Sequence, residues 1–303
     1  HPPQRRRRDA AIHPFAPRAG ASVGGMRPWM CVFCANEFPP GETPPAICPI
    51  CDDDRQWLPV SGPSWTPLDE TADNALTADD VEPGLTALSV RPSVGIGQRA
   101  LLVTASEGNI LWEPPGFLGP SLVDWLDAHG GVAAIAASHP HLVGASVSLS
   151  HRFGRVPVYY NDFDRRWVTR PDPVVRFWSD SVEVLGGVRL VRCGGHFPGS
   201  AVLHVPDAAG GRGALLTGDT IKGVMQPGMV TFMRSYPNMI PLSPRLVRGI
   251  ADRVGELRFD RLYDAFGVVV EKGAREVVET SAARYIGWVT DGIVDPDDPH
   301  APA

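Results

Sequence analysis

Ser138-His139-Pro140-His141 follows the apolar run Val132-Ala133-Ala134-Ile135-Ala136-Ala137. Such a run reads as a short strand buried on both faces. Two histidines at i and i+2 straight after it can turn both imidazoles into one cleft, and imidazole suits zinc and iron equally. The competing reading, a strand cap or a surface pair, uses the same residues. A second signal is sharper: Cys31-Val32-Phe33-Cys34 and Cys48-Pro49-Ile50-Cys51, with thirteen residues between the pairs. Each Cys-x-x-Cys makes a tight knuckle, and a hairpin between the two would bring four thiolates around one ion. Two local disulfides are the alternative, with poor geometry for so short a loop. Trp29, Phe38 and Trp57 flank the knuckles and would cover a core too small to fold without an ion.

Two more stretches bear on the histidine pair. In Cys193-Gly194-Gly195-His196-Phe197-Pro198-Gly199-Ser200 the glycines free the backbone, so that His196 can project from a strand-to-loop turn. Leu215-Leu216-Thr217-Gly218-Asp219-Thr220 is a buried strand ending in Gly-Asp. A carboxylate at the mouth of a buried strand needs a counter-charge, which a cation would supply. Other histidines are weaker candidates: His1, His13 and His300 lie in tails, and His129 ends a helix pattern. His151 sits among polar residues, and His204 within an apolar strand reads as a satisfied core histidine. Cys193 reads as a buried thiol, with a ligand or redox role as the lesser alternative.

These motifs carry two resemblances. The stretch C-V-F-C…P-P-A-I-C-P-I-C resembles the rubredoxin-like, zinc-ribbon knuckles appended to rubrerythrins, which implies Zn or Fe at Cys31, Cys34, Cys48 and Cys51. The order and spacing of S-H-P-H, G-G-H-F-P-G-S and L-L-T-G-D-T resemble the metallo-β-lactamase fold shared by glyoxalase II-like hydrolases, over roughly residues 84–290. That resemblance implies an α/β protein, a four-layer αββα sandwich, with His139, His141, His196 and Asp219 as metal ligands. Two departures stand out. Where the family places D-H, this chain has Val143-Gly144, and where a late strand would end in Gly-His it has Tyr263-Asp264-Ala265-Phe266-Gly267. Every ligand belonging only to a second metal is missing, which implies a mononuclear site, one Zn or alternatively Fe.

The activity expected is metal-assisted hydrolysis of an ester, thioester or amide-like bond in a small-molecule substrate, with water activated at the metal. Asp219 or Asp264 would serve as catalytic base, with Asp162 and Asp164 as further candidates. His139, His196 and Asp219 alone would instead form the two-His-one-carboxylate face of non-haem iron oxygenases, with the four-cysteine module as redox partner. A catalytically silent binding module is the third reading. The loop Met225–Met239 could wall a pocket, with Arg234 or Lys222 pairing an anionic group.

The elements that must position these residues follow from pattern. Strands are expected at 85–90, 99–104, 109–112, 132–137, 156–160, 182–192, 201–205, 214–217 and 258–265, and helices at 68–78, 121–129, 144–153, 242–254 and 274–289. The organisation expected is a disordered basic arm at 1–27, the four-cysteine knuckle at 28–60 and a linker at 61–83. The sandwich domain at 84–292 and a flexible tail at 293–303 complete it. A net charge of −6 argues against a general nucleic-acid-binding surface despite Arg5-Arg6-Arg7-Arg8. No apolar run approaches the ~18 residues of a membrane span. Cysteines paired for metal rather than disulfides, and no visible signal peptide, point to the cytoplasm.

Overall fold

A computed structural model describes residues 26–71 and 74–300 of the 303. The arm expected at 1–27 lies outside the described residues but for its last two positions.

Three short strands come first among the described residues: β1 (Arg27–Cys31), β2 (Glu37–Gly41) and β3 (Trp65–Pro67), in the order β2-β1-β3. β4 (Ala75–Glu82), β5 (Leu85–Arg91), β6 (Ala100–Ala105) and β7 (Gly108–Trp112) then form an antiparallel meander. After α1 (Pro120–Ala128) come β8 (Ala134–Ala136), α2 (Ser146–Arg152), β9 (Val158–Asn161) and β10 (Val175–Trp178). β7 to β10 run parallel, and the seven strands make one sheet in the order β10-β9-β8-β7-β6-β5-β4.

The second sheet starts with β11 (Ser181–Leu185), β12 (Val188–Arg192) and β13 (Ala201–Val205), followed by the short turn α3 (Ala208–Gly211) and β14 (Ala214–Gly218). Two ribbons, β15 (Lys222–Gly223) with β16 (Val230–Thr231) and β17 (Met233–Ser235) with β18 (Ile240–Pro241), precede α4 (Pro244–Gly255). β19 (Arg261–Asp264), β20 (Val269–Val270) and α5 (Ala274–Val289) close the fold, and the sheet reads β11-β12-β13-β14-β19-β20.

Alternation along the buried strands builds the layers. Leu101 and Val103 of β6 point to the second sheet, where they meet Leu203 and Leu216, while Leu102 faces the layer of Leu122 and Leu126 from α1. On the far side, Val202 and Leu215 pack under Val247, Ile250 and Val278 of α4 and α5. The result is an αββα sandwich. Pro120 and Pro244 begin α1 and α4, where the ring's fixed φ fits and no N–H is lost.

One expected element is overturned. The helix at 68–78 is a single 3-10 turn, Leu68–Thr71, followed by β4. Ala75-Leu76-Thr77-Ala78 has helical composition, but pairing with Ser89, Leu88 and their neighbours on β5 outweighs local propensity. The segment 61–83, expected as a linker, therefore contributes β3 to the knuckle sheet and β4 to the sandwich.

The strand ends fix where chemistry can occur. Glu113 follows β7, Ser138 and His139 follow β8, His196 follows β12, Asp219 follows β14, and Asp264 ends β19. In open α/β sheets, sites gather outside such ends.

Candidate metal centres

The four cysteines converge in a buried cluster. Cys31 Sγ lies 3.7 Å from Cys51 Sγ, and Cys34 Sγ lies 3.7 Å from Cys48 Sγ. Four sulfurs held ~2.3 Å from one tetrahedral ion would be separated by about 3.8 Å, so the donor set fits zinc or iron. Backbone turns set this up: the Ala35 N–H donates to Cys31 O at 2.8 Å and the Asp52 N–H to Cys48 O at 2.9 Å. The thiols compete for protons. Hydrogen bonds from Cys34 and the other thiols pull Cys31 far down, burial holds Cys34 up, and the bond to Cys31 holds Cys51 up.

His139, His141 and His196 form the second group, with ligand nitrogens all within 4.8 Å of one another. Their tautomers follow from their partners. Ser138 Oγ donates to Glu113 Oε1 at 2.5 Å, so it accepts from His139 Nδ1–H at 2.7 Å. His196 Nδ1–H donates to Met233 O at 3.0 Å. Both rings thereby keep an Nε2 lone pair, and His141 turns Nδ1 toward that of His196 at 3.4 Å. His139 Nε2 and His141 Nε2 are buried with no protein partner. Burial holds His139 and His141 well below the ordinary histidine range and draws His196 down to about 4, so all three are neutral at pH 7. Three neutral, converging imidazoles, two of them with an unmatched nitrogen, fit a divalent cation.

Phe197 joins the two groups. Its ring lies 4.7 Å from His141, 5.3 Å from His196 and 5.5 Å from His139. It also belongs to the apolar cluster of the four cysteines and Trp167.

The expected fourth ligand, Asp219, keeps an Oδ1 that is buried without a hydrogen-bond partner. Asp219 is buried, but it is not in the mutual group formed by the three histidines. Its Oδ1 faces Lys222 Nζ at 3.5 Å, and burial pushes the carboxyl up to about 6 against the pull of Lys222. Asp264, expected as an alternative base, is committed elsewhere. Its carboxylate accepts N–H bonds from Phe266 at 2.9 Å, Val268 at 2.8 Å and Gly223 at 3.1 Å, which close the turn after β19. Asp164 accepts the Gly199 N–H at 2.7 Å, and Asp162 pairs with exposed Arg165. Arg234 is not free for an anion, because it holds Asp54 at 2.8 Å. Cys193, pushed up to about 12 by burial, lies outside the histidine group, and His204 Nε2 bonds Arg258 O at 2.9 Å.

Residues not singled out in the sequence complete the site. Glu113 is fully buried with a left-handed φ of 56°, and burial pushes it up to about 8. Gly218 lies against it: a Cβ there would sit 2.4 Å from Glu113 Oε1 and 2.0 Å from Ser138 Oγ. An acid closing a buried strand is the signal that could have found Glu113, as it did Asp219. Arg55 reaches in from the knuckle, and its Nε donates to His196 O at 2.6 Å.

No family model matches the chain. YmaE of Bacillus subtilis (strain 168) is 39% identical over 264 residues, covering 85% of this chain and 95% of that protein. A metallo-beta-lactamase from Pontibacter korlensis aligns with a TM-score of 0.50 at 15% identity, over 69% of this chain and 98% of that one. A flavo di-iron protein from Thermotoga maritima aligns with a TM-score of 0.52 at 16% identity, over 71% of this chain and 62% of that one. At these identities the two structures show the fold alone: the sandwich is the metallo-β-lactamase fold. No helix among the described residues is long and apolar enough to cross a membrane.

Proposed function

The chain belongs to the family of Bacillus subtilis YmaE, and from its fold and histidine centre we propose that it is a mononuclear metal-dependent hydrolase acting on an ester, thioester or amide-like bond of a small molecule. One observation carries the reading: His139, His141 and His196 are buried, neutral and convergent, and His139 Nε2 and His141 Nε2 are left unmatched by the protein. A zinc or ferrous ion held there supplies Lewis acidity and lowers the pKa of water toward ~7.

The chain's own residues do the rest. Glu113 and Ser138 lock the His139 tautomer, and Met233 O locks that of His196. Asp219, buried beside Lys222 with its carboxyl raised to about 6, is the proton acceptor of this reading. The missing second-metal ligands support a single ion. Gly144 occupies the position of the expected histidine with φ 52°, and a Cβ there would lie 2.1 Å from Pro114 O. The iron-oxygenase reading needs Asp219 in the ligand set with His139 and His196, and Asp219 lies outside the group those histidines form. The four-cysteine knuckle holds its own Zn or Fe. A cytoplasmic location and the absence of nucleic-acid and membrane partners belong to the same reading.

Metal analysis of the full chain and its His196→Ala variant, beside a hydrolysis panel of ester, thioester and lactam substrates, tests this. Two ions in the parent, one in the variant and hydrolysis lost with the second ion support the proposal. Two ions in both proteins would remove its basis.

A further inference from the structure

The cysteine knuckles lie against the loops that carry the histidines. Arg55, four residues past Cys51, is 5% exposed and pairs with Asp53 at 2.5 Å. Its Nε donates to the main-chain carbonyl of His196 at 2.6 Å, and its guanidinium lies 4.4 Å above Phe197 and 5.4 Å from the Trp167 ring. The same segment holds the other end of His196. The ring's partner is Met233 O, and the loop after Met233 is tied back by Ser235 Oγ to Arg55 O at 2.8 Å. Arg234 bonds Asp54 at 2.8 Å, and Asn238 Nδ2 donates to Asp54 O at 3.0 Å and Gln56 O at 2.9 Å.

The first knuckle treats the other histidine loop in the same way. Asn36 Nδ2 donates to Pro140 O at 2.7 Å, and its Oδ1 accepts the Gly144 N–H at 2.8 Å. Glu37 accepts the Ser148 N–H at 3.0 Å at the start of α2 and pairs with Arg170. Both ligand loops therefore rest on backbone whose course is set by the cysteine cluster.

We infer that the four-cysteine unit is a clamp for the histidine centre, with Arg55 as the positioning residue that holds His196 in ligating geometry. The inference rests on the histidine centre binding a metal, as proposed above. Replacing Arg55 with alanine removes the bond to the His196 carbonyl and the cover over Phe197, while leaving all seven candidate ligands in place. Lysine restores the charge but not the planar fork that bonds and stacks at once. Loss of a supporting partner typically costs about 10- to 100-fold in metal affinity.

The test is a cobalt(II) titration of the full-length parent, Arg55→Ala, Arg55→Lys, Ser235→Ala and His196→Ala. The thiolate charge-transfer band reads the knuckle, and the weaker visible bands with total stoichiometry read the histidine site. The expected result for Arg55→Ala is an intact thiolate band and a histidine-site affinity about 10- to 100-fold weaker. Arg55→Lys recovers only part of it, and Ser235→Ala shifts affinity in the same direction. If Arg55→Ala loses the thiolate band through misfolding, Ser235→Ala and Arg55→Lys carry the comparison. Histidine-site affinity at the parent level in those folded variants would overturn the clamp while leaving the metal reading intact. A His196→Ala protein that keeps both ions would overturn both.

Discussion

Glu113 reaches His139 through a single hydroxyl: Ser138 Oγ lies 2.5 Å from Glu113 Oε1 and 2.7 Å from His139 Nδ1. This relay decides which imidazole nitrogen is free. Ser138→Ala leaves His139 Nδ1–H without a buried acceptor, and the tautomer is no longer fixed. Its affinity for zinc at the histidine centre should fall by about 10-fold, measured by competition with a chromophoric chelator. Glu113→Gln keeps an acceptor for the hydroxyl, so its affinity should stay near the parent's.

Gly218 is the tightest point of the same relay. A methyl group there meets Ser138 Oγ at 2.0 Å and Glu113 Oε1 at 2.4 Å, and the residue has φ 55°. Overpacking and left-handed strain act together, so Gly218→Ala should lose about 2–4 kcal/mol of stability. Urea unfolding of the metal-free protein measures it. An unchanged midpoint would mean that the relay is not packed against β14.

Much of this centre was legible in the sequence, because the candidate ligands sit where apolar strands end and glycines begin. Val132–Ala137 and Leu215–Gly218 read as buried strands from composition alone, and α5 has the bounds its periodicity predicts, 274–289. What stayed hidden depends on contacts distant in sequence. Glu113 lies between Trp112 and a Pro-Pro pair and reads as a loop acid until Ser138 is seen 25 residues on. Arg55 follows three aspartates and reads as a solvated charge, yet its partner His196 lies 141 positions away. Asp219 was legible as a buried carboxylate at a strand mouth, but its pairing with Lys222 depends on the turn after β14.

Asp164 supplies a pH signature. Burial pushes its carboxyl up to about 7, against the pull of the Gly199 N–H. Its folded pKa lies above the unfolded value of about 3.9, so the folded state holds a proton that the unfolded state releases. Its contribution to stability is therefore full at low pH, declines as pH rises from about 4 to 7, and is flat beyond. Asp164→Asn keeps an acceptor for Gly199 and removes the titration. Relative to the parent it should gain on the order of 1–4 kcal/mol between pH 4 and 7. Parallel pH–stability curves for the two proteins would contradict the burial of this charge.

The four-cysteine cluster should control the local stability of the N-terminal unit. Among the described residues, its fully buried apolar cover is Phe38, Ile50, Trp167 and Phe197, with Trp29, Phe33, Leu58, Trp65 and Ile96 half-buried around it, and the sulfurs themselves fill the centre. In a unit this small, an ion bound by the four thiolates would supply a large share of the folding free energy. Ligation also requires the shared thiol protons to leave, so acid competes directly with the metal. Zinc release should grow steeply as pH falls, with protons taken up as the ion departs. A chelator at neutral pH should then open the segment between Gly41 and Val60 to protease well before the sandwich is cut. Its αββα core is packed from three apolar clusters that contain none of the four cysteines, although Met30 and Ala35 of the knuckle join one of them. Timed proteolysis with mass mapping, with and without chelator, reads this. Equal protection of 41–60 in both conditions would show that the knuckles hold their shape without a metal.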